Sequence, residues 1–247
     1  RGIALTEAGR VLYKRAQGIL ELSELTRKEM LAMASGFTGT LHIGTVSSSG
    51  ASLLGWRIPA FHQKYPQIGF AIHEGNTFEL MEMLESGLIE LAIVRTPFHN
   101  DQLNCLYLSP EPMIAAGAAS FFPAGMPSGQ PISLELLGHA PVILYRRFEK
   151  ILLSLCEQKG ITPQVFCIAD DARTTLMWAE AGLGVAVVPQ SAYRIMPHHN
   201  MVYGELSEED LHTRIAAVCK KGCSLSWAAQ QFLEIFAQHP PSAQTGI

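Results

Sequence analysis

From Gly39 onward the chain alternates two kinds of hydrophobic spacing, and that alternation restricts the possible folds more than any other feature. Thr40 to Val46 is β-branched and apolar like a short buried strand; Ser47, Ser48, Ser49 and Gly50 interrupt it, and Leu53 to Tyr65 resumes at helical spacing. Gly69 to Glu74 reads as a strand and Gly75 to Thr77 as a turn. A helix follows from Phe78, with Leu80 and Leu84 on one face and a stop at Gly87, and Leu88 to Arg95 is a third strand. Such a strand and helix alternation calls for a parallel sheet with right-handed crossovers. Asn76 and Glu79 have the spacing of a capping box. Pro59 removes a hydrogen bond to the Gly55 carbonyl inside the first helix, so a kink or restarted turn is expected there.

After Thr96 and Pro97 and a polar loop, the pattern begins again. Glu111 to Ala119 is extended, Phe121 to Pro131 is a loop rich in Pro and Gly, Ser133 to Leu137 is a short helix and Pro141 to Tyr145 a strand. Helix Phe148 to Lys159, strand Gln164 to Ala169, helix Ala172 to Ala181 and strand Val185 to Val188 follow. A strand Thr213 to Lys220 and a helix Trp227 to Gln238, capped by Ser224 or Ser226, close the series. Two such halves joined by two crossings enclose a cleft. Ligands of open α/β sheets sit at the carboxyl ends of the strands. Those ends carry Ser47 to Ser49, Asn76 and Thr77, Arg95 and Thr96, Tyr145 and Arg146, and the turn Asp170 and Asp171. The serine loop feeds a helix N-terminus, where unpaired N–H groups and hydroxyls can hold a small anion.

Ahead of this region, no proline interrupts the residues from Thr6, a candidate N-cap, to Ser35 and Gly36. Ala8, Leu12, Ala16, Ile19, Leu22, Thr26, Met30 and Met33 recur at spacings of three and four, while Lys14, Glu21, Glu24 and Lys28 occupy the opposite face. A helix of about 40 Å with one apolar stripe fits dimerisation, or packing along its own domain. Arg1, Arg10, Lys14 and Arg15 at its start are phosphate contacts or a solvated face.

At 247 residues with 48% hydrophobic and 16% charged side chains, the chain has the composition of a folded globular protein rather than a disordered one. No apolar run approaches the ~20 residues of a membrane span. A net charge of −4 argues against a whole-chain nucleic-acid coat. Cys105, Cys156, Cys167, Cys219 and Cys223 form no disulfide framework and suit reduced thiols in a cytoplasm. Cys219 with Cys223 and His198 with His199 lack a second pair at zinc-site spacing. No serine sits in a nucleophile elbow, and Asp170 and Asp171 are explained by a turn. Neither a metal, a cofactor nor an enzymatic activity is expected.

Several segments resemble LysR-type transcriptional regulators, in order and in spacing. They are Arg1 to Gly9, Gly39 to Gly44, Phe61 through Tyr65 and Pro66, Glu74 to Thr77, Leu84 to Ile93 and Ala181 to Pro189. Glu90 stands where the family usually has Asp, and Gly55 where Pro is frequent. The resemblance implies an α/β fold of two Rossmann-like lobes, of the type 2 periplasmic-binding-protein kind, preceded by a long linker helix. It divides the chain into residues 1–36, the end of a winged helix-turn-helix domain plus the linker; 37–108 with 214–247, lobe I; and 109–213, lobe II. It implies a cytoplasmic effector sensor that forms a homodimer or tetramer, reaches DNA only through a missing N-terminal domain, and has RNA polymerase as a further partner. Ser48 and Thr77 fall on the family's effector-touching loops, and Arg95 and Arg146 at facing strand ends suit a carboxylate. The effector site is therefore expected at Ser47, Ser48, Ser49, Asn76, Thr77, Arg95, Thr96, Tyr145, Arg146 and Asp171. The competing reading, a solute-binding protein of a transporter, would need export and has no use for the helical prelude.

Overall fold

The computed structural model of the protein describes residues 6–34, 38–195 and 197–238; the side chains of Ser47, Ser48 and Ser49 lie outside the described set. Helix α1 spans Glu7–Ala34. Thr6 caps it as expected, its Oγ1 accepting from the Gly9 N–H at 3.1 Å. Of its apolar stripe, Leu12, Ile19 and Met30 are exposed, Leu12 at 70% and Ile19 at 67%.

Strands β1 (Gly39–Thr45), β2 (Ile68–Glu74), β3 (Leu91–Arg95) and β4 (Leu103–Tyr107), with helices α2 (Ser47–Lys64) and α3 (Thr77–Glu85), build the first half. Strand β5 (Glu111–Ala118) opens the second. It continues through β6 (Gln130–Ile132), β7 (Pro141–Tyr145), α4 (Glu149–Gln158), β8 (Gln164–Ala169), α5 (Ala172–Glu180), β9 (Val185–Pro189), α6 (Gln190–Tyr193), β10 (Met201–Leu206) and β11 (His212–Thr213). The chain then returns to the first half as β12 (Ile215–Lys220) and α7 (Trp227–Phe236). The sheets run β2-β1-β3-β12-β4 and β6-β10-β5-β9-β7-β8, with β11 beside β5. Strand β1 is parallel to β2 and β3, and β7 to β8 and β9, as the crossovers require.

Period-two alternation sorts the first sheet into two faces. Leu41 and Ile43 pack with Phe61 of α2 and Phe232 of α7, while Val94 meets Leu80 and Leu84 of α3. Gly44 points at α3, where a Cβ would lie 2.4 Å from Ile89 Cδ1 and 2.7 Å from Leu80 Cδ2. The glycine thus lets the helix close onto the strand. In the second half Ile114, Ile143, Leu144, Val187 and Leu176 share one core.

Several elements differ from the sequence reading. Helix α2 starts at Ser47, so the serines form its first turn rather than a loop. It runs unbroken through Pro59, and no turn restarts there; Pro59 and Gly55 are both exposed, leaving the freed carbonyl on the solvent side. Strand β4 occupies the expected polar loop because the antiparallel edge of β12 offers it a full ladder from Leu103 to Tyr107. Strand β6 overlaps the end of the expected loop, and β10 lies in a stretch to which the sequence reading assigned no element. Pro131 is tolerated because β6 is an edge strand. Ser226 rather than Ser224 caps the last helix, accepting from the Ala229 N–H.

The chain crosses between the sheets twice, from Tyr107 to Glu111 and from Thr213 to Ile215. Arg214 Nε donates to the Leu108 carbonyl at 3.1 Å, and the Arg214 N–H donates to Thr96 Oγ1 at 2.9 Å, so the crossings and the end of β3 form one knot.

Candidate functional site

A cavity of about 660 Å³ opens between the carboxyl ends of β1 and β2 on one side and of β7 and β8 on the other. Val46 and Glu74 to Phe78 line it from the first half; Tyr145, Arg146, Arg147, Asp170 and Asp171 line it from the second.

Three helices begin at this cavity, and their N-termini are not equivalent. Asn76 Oδ1 accepts from the N–H groups of Phe78 and Glu79, and Glu79 Oε2 accepts from the Asn76 N–H at 2.8 Å, so the capping box of α3 satisfies its own donors. Asp171 caps α5 through the Arg173 N–H at 2.7 Å and is clamped by the Arg173 guanidinium at 3.1 and 2.9 Å. Burial alone would raise the Asp171 pKa; the Arg173 guanidinium and the N–H groups of Arg173 and Thr174 outweigh it, and the net displacement is downward. Helix α2 is different: its N-cap residue is Val46, which has no side-chain acceptor. The positive end of α2 thus begins directly after cavity-lining Val46 and takes no cap from that side chain.

The charges around the cavity are largely paired. Arg146 Nε donates to Asp170, and both side chains are exposed. Arg173 also lies 3.8 Å from Glu74 across the cleft. Arg147 Nη1 donates to Thr77 Oγ1 at 2.8 Å, while its Nη2 donates to the carbonyls of Arg95 and of Pro97, the latter at 3.1 Å. Burial lowers the Arg147 pKa, and the nearby Arg95 charge adds to the effect. Arg146 and Arg173 thus face carboxylates, whereas the partners of Arg147 are a hydroxyl and two carbonyls, with no carboxylate among them. Phe78, 71% exposed, and Tyr145 add aromatic surface.

Of the residues expected from sequence, Asn76, Thr77, Tyr145, Arg146 and Asp171 meet at the cavity. The side chains of Ser47, Ser48 and Ser49 lie outside the described residues, although their backbone forms the turn directly after Val46. Arg95 and Thr96 do not line the cavity. The Arg95 side chain, 1% exposed, bonds Glu111 Oε1 at 2.5 Å and Ser191 Oγ at 2.9 Å. Every residue of central strand β3 is buried, so its last side chain has no route to the cleft. Thr96 binds the Thr213 hydroxyl and the Arg214 backbone in the crossing knot, beside a separate cavity of about 170 Å³.

Sequence reasoning missed Val46, Glu74, Phe78 and, above all, Arg147, and it kept Asp171 of the strand-end pair but not Asp170. The arginine doublet after a strand was the available signal, but spacing does not tell which of two consecutive side chains turns inward. Among the described residues no three His, Cys, Asp or Glu side chains gather to hold a metal. His198 instead places Nε2 2.8 Å from the Tyr193 carbonyl and Nδ1 3.3 Å from Glu180.

This geometry, two sheets with a ligand-sized cleft at their strand ends, is that of an effector-binding domain. The LysR substrate binding domain matches residues 34–241, and the chain belongs to the LysR family of transcriptional regulators. It is 29% identical over 245 residues to the HTH-type transcriptional regulator BudR of Raoultella terrigena, covering 96% of this chain and 82% of that one. In fold it is similar to full-length CbnR in complex with its target DNA, with a TM-score of 0.69, 20% identity and coverage of 96% and 82%. It is also similar to the BenM effector-binding domain with its effector benzoate, with a TM-score of 0.69, 22% identity and coverage of 82% and 96%. Family membership sets aside the transport reading.

Proposed function

We propose that this chain is the sensing and oligomerising part of a LysR-type regulator, and that it holds a small organic anion, a carboxylate with an apolar body, between its two sheets. The observation that carries this is that α2 begins directly after cavity-lining Val46, which supplies no cap, while α3 and α5 bind caps of their own. Phe78 and Tyr145 suit an apolar body, and Arg146 with Thr77 suits the polar end. The fold shared with BenM, which is seen with benzoate, supports the ligand class.

The mechanism is a population shift: the anion favours one angle between the sheets, and dimers joined through α1 carry that angle to DNA-binding domains. The exposed stripe of α1 suits a second copy of the helix. A coupling of about 1–3 kcal/mol suffices for regulation. The reading places the protein in the cytoplasm, acting with DNA and RNA polymerase and catalysing nothing. Thermal unfolding in the presence of benzoate and a panel of aliphatic and aromatic carboxylates tests it, because a ligand of the folded state raises its stability. At least one carboxylate raises the melting temperature, and Arg146→Gln weakens that rise. If no carboxylate shifts melting at millimolar concentration while a neutral or cationic metabolite does, the anion assignment is wrong.

A further inference from the structure

We infer that Arg147 is the clasp of the cleft, a positioning residue that fixes the angle between the two sheets and presents the Thr77 hydroxyl to the cavity. Arg147 stands in the short 3-10 turn after β7, in the second half of the molecule, and that turn is anchored by buried Phe148. Yet its acceptors among the described residues lie in the first half: Thr77 at the start of α3, the Arg95 carbonyl at the end of β3 and the Pro97 carbonyl just beyond. One rigid guanidinium thus ties a cavity wall to the segment that enters the crossing knot, a geometry that lysine with a single ammonium cannot copy.

Arg147 Nε is buried and has no hydrogen-bond partner among the described residues, so the hold on the first half runs through Nη1 and Nη2 alone. The Arg95 guanidinium bonds Glu111 and Ser191 in the opposite direction, so it does not compete for these acceptors. An occupant that meets Thr77 therefore acts on the lobe angle through Arg147. This last step rests on reading the cavity as the effector site; the clasp itself does not.

The test needs no ligand. Hydrogen exchange of individual amides and small-angle scattering are compared for the native chain, Arg147→Gln, Arg147→Lys, Thr77→Val and, as a charge control, Lys150→Gln on the exposed face of α4. Arg147→Gln speeds exchange at Thr96, Arg214 and the first turn of α3 about tenfold, because charge-assisted bonds are lost there, and leaves β7 and β9 protected. It also raises the radius of gyration. Arg147→Lys falls between, Thr77→Val gives a smaller rise at α3, and Thr77→Val adds nothing to it in the Arg147→Gln background. Unchanged exchange at Thr96 and Arg214 in a folded Arg147→Gln overturns the proposal. So does a rise spread uniformly over both sheets, which would mean a general role in folding. If Arg147→Gln does not fold, Thr77→Val and Arg147→Lys decide, and native exchange in both overturns it. Failure of the carboxylate screen leaves this result standing, since no carboxylate enters it.

Discussion

The guanidinium of Arg147 donates to the main-chain carbonyl of Arg95, while the guanidinium of Arg95 runs the opposite way to Glu111 at 2.5 Å. Two arginines thus cross the same junction in opposite directions. Arg95 joins the end of β3 to the start of β5 and, through Ser191, to α6. Glu111 also accepts from the Ser191 N–H at 2.7 Å and from its hydroxyl at 3.0 Å, which completes a small buried network.

That network predicts a sign as well as a size. Arg95→Met strips the cation from a carboxylate that stays mostly buried, and it lowers stability by about 2–4 kcal/mol in urea unfolding. Adding Glu111→Gln removes the stranded charge, so the double variant is more stable than Arg95→Met alone. A double variant whose loss equals the sum of the single losses would show that the two side chains do not interact in solution.

The acid limb of stability is set in part by Asp171 and Glu180. Burial raises the Asp171 pKa and the bonds from Arg173 outweigh it; Glu180 is likewise raised by burial and brought down further by the N–H groups of His199 and Asn200 and by His198. Both carboxylates therefore end below their ordinary values, 3.8 and 4.5. A carboxylate with a depressed folded pKa contributes stability that is complete above its ordinary value and is lost as pH falls through its folded one. Asp171→Asn keeps an acceptor for the α5 cap but discards the charge, so it gives up at pH 7 the stability that the native chain loses only in acid, and it flattens the loss below pH 3.8. Acid titrations of the native chain and the variant that superimpose would remove Asp171 from the account.

Which parts of this molecule were legible in its sequence follows from what each residue has to do. The capping box at Asn76 and Glu79, the Thr6 cap and the alternation of strands with helices are local, and local spacing reveals them. Arg95 and Arg147 are not local. Both sit at strand ends, and their roles depend on β3 being covered on both faces and on a 3-10 turn aiming the second arginine of a doublet inward. Thr96 looked like a ligand residue because it follows a strand; only the return of the chain at Arg214 makes it part of the crossing knot. Strands β4 and β10 stayed hidden because their partners, β12 and β5, lie far away in sequence.

Glycine substitutions separate packing from propensity. Gly44→Ala puts a methyl group into Ile89 and Leu80 and costs about 1–3 kcal/mol as α3 is pushed off the sheet. Gly55→Ala meets nothing within 4 Å on an exposed turn of α2 and raises stability by about 0.5–1 kcal/mol. Chemical denaturation measures both, and a neutral Gly44→Ala would mean that the helix and strand are less tightly apposed than this packing requires.

The uncapped helix gives the most discriminating test of the ligand reading. Val46 has φ −73° and ψ 133°, the extended backbone that an N-cap residue adopts, and it lacks only an acceptor. Val46→Thr keeps the shape and adds an oxygen that can accept from the first-turn N–H groups of α2. The new cap stabilises the free protein by up to about 1 kcal/mol, reduced by the cost of placing a hydroxyl where a methyl is buried. Because the same N–H groups are assigned to the anion, the variant melts at the native temperature or above it and binds the screened carboxylate several-fold more weakly. Calorimetry showing native affinity in a variant whose cap has formed would place the anion elsewhere in the cavity, at Arg146 rather than at α2.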